Sequence, residues 1–134
     1  MAKKILIIDD DADVILFLKT ILADHGYDAV EARNGAEGWD RIQSDRPDLV
    51  LLDLMMPQRS GISLLTGLKQ DKNLKGIPVI MVTGVAGETG IDLEAFLKRS
   101  LGRGSGDESV RPDGYLEKPV DPDRLIDLIK EFID

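Results

Sequence analysis

The 134-residue chain contains no cysteine, so it can form neither disulfides nor thiolate metal sites. It also lacks a long apolar run, and the runs that it has are far too short to span a membrane. The segment from Met1 to Lys4 leads straight into the first apolar run, which leaves no room for a signal peptide. These absences predict a soluble, cytoplasmic protein with no membrane insertion.

Basic residues are in the minority. The chain has 17 lysine and arginine residues against 25 acidic residues, a formal net charge of -8, and the basic residues are scattered along the sequence. A nucleic-acid groove requires clustered positive charge. We therefore expect no direct binding of nucleic acid.

Short apolar runs alternate along the chain with amphipathic segments. The length predicts a single domain over residues 1–134. Runs of branched aliphatic residues predict buried strands, and apolar residues at helical spacing predict helices. The predicted strands are 5–8, 28–32, 48–53, 79–83 and 114–117. The predicted helices lie between Asp11 and His25, over 35–44, through Leu64–Leu68, over 91–101 and onward from about Pro122. This alternation predicts an α/β fold, a doubly wound parallel sheet with helices on both faces.

Two of the predicted strands end in acidic residues. The run 5–8 leads into Asp9 and Asp10, and the run 49–52 leads into Asp53. The carboxyl ends of parallel strands lie at one edge of the sheet, so neighbouring strands would bring these carboxylates together. Crowded carboxylates need a cation, or one of them must hold a proton. The pattern therefore predicts a binding site at this edge.

Two polar residues near the first helix have simpler interpretations. Asp11 precedes the helix and is predicted not to bind a metal; either it or Asp13 is predicted to cap the N-terminus of the helix. His25 is the sole histidine and follows the same helix. We interpret it as a helix-end residue rather than a phosphodonor or a metal ligand.

Five sequence elements, in order along the chain, carry a family resemblance. They are Asp9-Asp10, Asp53 in LLDLMMPQRSG, Gly61 eight residues after Asp53, Thr83 in MVTG, and Lys118-Pro119 in GYLEKP. The set resembles the receiver domain of bacterial two-component response regulators. The resemblance implies a flavodoxin-like (βα)5 fold, like that of the chemotaxis regulators, with strand order 2-1-3-4-5.

The resemblance also implies a phosphorylation site. Asp53 aligns with the aspartate that takes a phosphoryl group from a phosphohistidine on a sensor histidine kinase or a histidine phosphotransfer protein. Asp9, Asp10 and Asp53, with the backbone carbonyl of Met55, would hold Mg²⁺. Such a domain catalyses its own phosphorylation and slow dephosphorylation, and is not an enzyme acting on other substrates.

The resemblance implies that further residues contact the phosphoryl group or respond to it. Thr83 and Lys118 align with residues that contact the phosphoryl oxygens, and the bond from Lys118 to Pro119 would be cis. Thr83 and Tyr115 would form a switch that alters the surface made by the helix at 91–101, the fifth strand and the terminal helix. That surface would contact an unknown output protein or domain, or form a homodimer on phosphorylation.

One segment departs from the family pattern. Thr83 and Tyr115 are 32 positions apart, about a dozen more than in such domains. We interpret residues 101–112, which are rich in glycine, as an insertion before the fifth strand. Our hypothesis is that the insertion customises or blocks the partner or dimer contact.

Three alternative functions compete with this interpretation. A haloacid-dehalogenase-like phosphohydrolase would place a second aspartate two residues after Asp53, where this chain has Met55, which cannot transfer protons. An interaction module that is never phosphorylated would not need the acids, Thr83 and Lys118. The third alternative is a receiver domain excised from a larger hybrid kinase or multidomain regulator, which would have the same sequence pattern.

Overall fold

The computed structural model describes residues 2–53, 61–83 and 112–133 of the chain. Its strands are β1 (Lys4–Ile8), β2 (Asp28–Ala32), β3 (Leu49–Leu52), β4 (Val79–Thr83) and β5 (Gly114–Glu117). Its helices are α1 (Ala12–Asp24), α2 (Gly35–Asp45), α3 (Gly61–Gln70) and α4 (Pro122–Ile133). None of these helices is both long and apolar enough to cross a membrane.

All strands pair in parallel, in the order β2-β1-β3-β4-β5. This confirms the predicted α/β fold and strand order, and each predicted strand agrees with the structure to within a residue at either end. The helix predicted at 91–101 lies outside the described residues. So does the insertion predicted at 101–112, apart from Pro112, which is buried.

The sheet is buried on both faces. In β1, Ile5 and Ile7 pack into a cluster with residues of α1 and α4, whereas Leu6 and Ile8 pack into a second cluster with residues of α2 and α3. All of these β1 side chains are at most 1% exposed. A strand covered on both faces needs apolar residues at consecutive positions, which explains the unbroken apolar runs.

The residues that flank α1, Asp11 and His25, lie at the two ends of the helix, as the sequence predicted. Asp11 caps the helix, since its side chain accepts hydrogen bonds of 2.9 and 3.4 Å from the N–H groups of the second and third helical residues. His25 occupies the C-cap, and its Nδ1 lies 2.9 Å from the carbonyl oxygen of Ile21. Gly26 then adopts a φ of 82°, a conformation that glycine takes without strain.

Helix α2 lies very close to β1 at Gly38. A Cβ atom on Gly38 would lie 2.7 Å from Cδ1 of Ile8. We expect Gly38→Ala to lower the free energy of unfolding by about 1–3 kcal/mol, because overpacking a close contact outweighs the better helix propensity of alanine. Urea denaturation measures the change.

Gly76 offers a matched control for this substitution, since a Cβ atom there would have no neighbour within 4 Å. Gly76→Ala should therefore leave the stability nearly unchanged. Adding Ile8→Val to Gly38→Ala removes the clashing methyl group and should restore part of the loss. A Gly38→Ala protein as stable as the wild type would contradict this account of the packing.

Candidate functional site

Acidic side chains from two neighbouring strands meet at the C-terminal edge of the sheet. Asp9 and Asp10 follow β1, and Asp53 follows β3. The Asp53 N–H donates to the carbonyl oxygen of Ile8 at 2.9 Å, so the pairing of β1 with β3 places the acids side by side. One carboxylate oxygen from each acid lies within 4.8 Å of the others. The structure thus brings together the carboxylates that the sequence placed at strand ends.

The acids differ in their exposure. Asp9 is 2% exposed and Asp53 is 5% exposed, whereas Asp10 is exposed. The Asp9 carboxylate is held from two sides: Oδ1 accepts a 2.9 Å hydrogen bond from the Asp11 N–H, and Oδ2 lies 2.9 Å from Nζ of Lys118. A buried carboxylate needs such partners, since burial without them is costly.

Lys118 connects the acids of both strands. It follows β5, and its Nζ lies 3.8 Å from Oδ2 of Asp53 in addition to its contact with Asp9. Burial alone lowers the pKa of Lys118, but the hydrogen bond to Asp9 and the negative charges of Asp53, Asp9 and Asp11 raise it, so the pKa lies above its ordinary value. The ammonium is therefore charged at neutral pH.

The donor set fits a hard divalent cation. Among the residues that the structure describes, the cluster contains three carboxylates and one ammonium group, so acidic groups outnumber basic ones there. Mg²⁺ and Ca²⁺ prefer oxygen ligands, and Mg²⁺ retains several waters. Because Asp10 is exposed, a partly hydrated ion could reach the cluster from solvent.

The remaining residues implied by the resemblance are described to different extents. Thr83 is the last residue of β4 and pairs with Glu117 of β5, but its side chain lies outside the described part of the structure. Tyr115 is half-buried, lies opposite Met81, and packs against the cluster beneath α2 and α3. The Lys118-Pro119 bond is cis, as the resemblance implied. The carbonyl of Met55 is in a segment that the structure does not describe.

Two features of the site region were not anticipated from the sequence. One is the direct contact of Lys118 with Asp9, for which the sequence holds no signal. The other is an apolar pair on α1, Leu16 and Phe17, which are 66% and 45% exposed. The run of apolar residues over 14–18 contained this signal, because one helix stripe cannot bury five consecutive side chains.

Comparison with known proteins agrees with this arrangement. The family model of the response regulator receiver domain matches residues 5–99. The polar-differentiation response regulator DivK of Brucella anthropi is 31% identical in a match that covers 99% of this chain and 98% of that protein.

Solved structures show the same fold. The receiver domain of a signal transduction histidine kinase from Syntrophus aciditrophicus is 31% identical, with a TM-score of 0.81 over 98% of this chain and 90% of that one. A CheY-like response regulator receiver domain protein from Methanospirillum hungatei is 32% identical, with a TM-score of 0.80 over 100% of this chain and 95% of that one. With the sheet order and the acidic cluster, these matches show that the chain belongs to the response regulator receiver domain family.

Proposed function

We propose that Asp53 accepts a phosphoryl group from a phosphohistidine on a sensor histidine kinase or a histidine phosphotransfer protein, with Mg²⁺ as cofactor. The observation that carries the proposal is the position of Lys118, whose ammonium lies 2.9 Å from Asp9 and 3.8 Å from Asp53. It puts positive charge beside the carboxylate that would receive the phosphoryl group.

The positions of the three acids relative to the sheet favour Asp53 as the nucleophile. Both oxygens of Asp9 are engaged, one by the Asp11 N–H and one by Lys118, so Asp9 is suited to holding other groups in place. Asp10 is exposed and lies at the rim. Asp53 follows β3, the middle strand of the sheet, where groups from the strands on either side can reach it.

The chemistry requires positioning and positive charge more than it requires proton transfer. An Asp53 oxygen bonds to phosphorus while the bond from phosphorus to the histidine nitrogen breaks, and the imidazole keeps the electron pair. Lys118 stabilises the negative charge on the phosphoryl oxygens, and the hydroxyl of Thr83 donates a hydrogen bond to them.

Asp9, Asp10 and Asp53 would hold Mg²⁺, together with the backbone carbonyl of Met55. When bound, the ion supplies charge that offsets the repulsion between the carboxylates and the incoming phosphoryl group. We propose that the chain catalyses its own phosphorylation and slow dephosphorylation and does not act as an enzyme on other substrates.

The exposed pair on α1 is suited to contact the protein that carries the phosphohistidine. Leu16 and Phe17 lie within two turns of the acids that precede α1, so a protein docked on them would also face Asp53. We expect Leu16→Glu to slow transfer from a phosphorylated histidine kinase by about tenfold or more, since buried apolar anchors dominate such interfaces. Transfer rates are measured with radiolabelled donor protein.

Phosphorylation by acetyl phosphate, which needs no docking surface, should be unchanged in Leu16→Glu. Ala23→Glu adds the same charge at an exposed position near the far end of α1 and should leave both rates unchanged. Equal slowing with both donors would place the effect at Asp53 rather than at a docking surface.

The signal would pass from Asp53 to a second surface. The added charge attracts Thr83 and Lys118, and Tyr115 of β5 responds to the movement of Thr83. The helix predicted at 91–101, β5 and α4 would form the output surface, which contacts an unknown output protein or domain or forms a homodimer on phosphorylation.

The insertion predicted at 101–112 would contribute to this output surface. We expect that deleting it leaves phosphorylation intact but changes the affinity for the output partner or the oligomeric state of the phosphorylated protein. Sedimentation velocity with and without acetyl phosphate measures the oligomeric state. Unchanged partner affinity together with unchanged oligomeric state would eliminate this role for the insertion.

A receiver domain excised from a larger hybrid kinase or multidomain regulator remains the alternative to a stand-alone regulator. Relatives of both kinds occur: the Brucella protein is matched over 98% of its length, whereas the Syntrophus domain comes from a histidine kinase. The proposed chemistry at Asp53 is the same in either case.

Intact-mass spectrometry tests the proposed function. The wild type should gain one phosphoryl group from acetyl phosphate with Mg²⁺ and none with EDTA. Asp53→Ala should gain none, whereas Asp24→Ala, which removes an exposed acid outside the cluster, should behave as the wild type. No addition to the wild type would favour an interaction module that is never phosphorylated.

A further inference from the structure

Lys69 is an almost buried lysine at the end of the sheet opposite the acidic cluster. It lies in the last turn of α3, and its side chain is only 8% exposed. Its Nζ lies 2.8 Å from Oδ2 of Asp113, 3.3 Å from the carbonyl oxygen of Ile77 and 3.4 Å from that of Lys75. These acceptors match the three donors of an ammonium group. Lys69 therefore ties α3, the loop before β4 and the residue before β5 together.

Asp113 forms a two-point clamp on the first residue of β4. Its N–H donates to the carbonyl oxygen of Val79 at 2.7 Å, and its Oδ2 accepts from the N–H of Val79 at 2.8 Å. The clamp lies one position before the β4–β5 ladder, which begins with Ile80 opposite Gly114. The carboxylate of this clamp is the group that Lys69 neutralises.

The clamp can form in only one register of β5 against β4. A slip of one residue would place Pro112 or Gly114 opposite Val79. Pro112 has no N–H to donate, and Gly114 has no side chain to accept. Gly114 is also closely covered by α4, since a Cβ atom there would lie 3.3 Å from Leu128. Residues around Asp113 thus select the register.

Register determines where Lys118 lies. Residues 84–113 connect β4 to β5, and a connection of this length does not set register as a tight hairpin turn does. Because Lys118 directly follows β5, a slip of one residue would move it by about 3.3 Å along the strand. Its 2.9 Å contact with Asp9 would then be lost.

We infer that Lys69 is a positioning residue for phosphorylation: through Asp113 it holds β5 in register and so holds Lys118 against Asp9 and Asp53. The inference rests on the proposed function, because the place of Lys118 affects a rate only if Asp53 is phosphorylated. Lys69 itself lies at the opposite end of the sheet from Asp9, Asp10 and Asp53 and would not contact the phosphoryl group.

A double-mutant cycle tests the inference. Lys69→Met keeps the aliphatic stem and removes the ammonium, and it should slow phosphorylation by acetyl phosphate about tenfold at a temperature where the protein stays folded. The matched control is Lys72→Met, at an exposed position in the adjoining turn, which should have the wild-type rate. In a protein that already carries Lys118→Met, adding Lys69→Met should lower the phosphorylation rate little further. A wild-type rate for Lys69→Met, or full additivity with Lys118→Met, overturns the inference.

Hydrogen exchange provides a measurement that does not depend on phosphorylation. In Lys69→Met the amide hydrogens of β5 should exchange at least about tenfold faster than in the wild type, while those of β1 and β3 keep their protection. Equal exchange in β5 overturns the inference. If Lys69→Met does not fold, Asp113→Asn serves instead, since it removes the ion pair but keeps an acceptor for the Val79 N–H. If the wild type takes up no phosphoryl group, the proposed function is wrong. The exchange comparison then still decides whether Lys69 holds β5 in register.

Discussion

Lys118→Met is expected to slow phosphorylation of Asp53 by acetyl phosphate by about a hundredfold to a thousandfold, the usual cost of removing one group that stabilises transition-state charge. Methionine keeps much of the aliphatic stem and removes only the ammonium, which lies 3.8 Å from Asp53. The rate of phosphoryl addition at fixed donor and Mg²⁺ concentrations, followed by intact mass, measures the effect.

Two variants control for other consequences of this substitution. Lys130→Met removes an exposed lysine of α4 and should leave the rate unchanged. Lys118→Arg keeps the positive charge but replaces a compact ammonium by a planar guanidinium, so its rate should fall between those of the wild type and Lys118→Met. A Lys118→Met protein that is folded and phosphorylated at the wild-type rate would remove Lys118 from the proposed chemistry.

Asp10→Asn is expected to abolish most of the stabilisation of the protein by Mg²⁺. A ligand that binds only the folded state raises the melting temperature by mass action, and the affinity of an oxygen site depends on the number of charged ligands. We expect at least about a tenfold loss of Mg²⁺ affinity. Because Asp10 is exposed, the fold should survive the change. Thermal unfolding at increasing MgCl₂ concentrations measures it.

Without the cation, Asp10→Asn should not destabilise the protein. Removing one of three close carboxylates relieves like-charge repulsion, so Asp10→Asn in EDTA should be at least as stable as the wild type. Asp13→Asn, which removes an exposed charge from the first turn of α1, should retain the wild-type response to Mg²⁺. An Asp10→Asn protein that responds to Mg²⁺ as the wild type does would place the cation elsewhere.

The sheet and the location of the site could be predicted because both depend on local sequence pattern. The runs 5–8 and 49–52 are short, rich in branched aliphatic residues and without polar alternation, a pattern typical of strands buried on both faces. The acids that follow them had to lie at the carboxyl ends of those strands. A cap at Asp11 or Asp13 was similarly predictable, because capping involves residues close in sequence, and the structure shows Asp11 in that position.

The contacts between distant residues could not be predicted in this way. Lys69 and Asp113 are 44 positions apart, and their contact depends on how α3 and β5 are placed by the whole fold. The 2.9 Å contact of Lys118 with Asp9 depends on the register of β5 and on a side-chain rotamer. The apolar run 14–18 indicates that some side chains of α1 stay exposed, but that Leu16 is one of them depends on how α1 packs on the sheet.

Tandem mass spectrometry of the wild-type protein, phosphorylated by acetyl phosphate with Mg²⁺, tests the central claim most directly. We propose that Asp9 and Asp10 help to hold a cation and that Asp53 accepts the phosphoryl group, although the three carboxylates lie within 4.8 Å of one another. The phosphoryl group should therefore be found on the peptide that contains Asp53, and on Asp53 itself. A phosphoryl group on Asp9 or Asp10 would contradict this assignment.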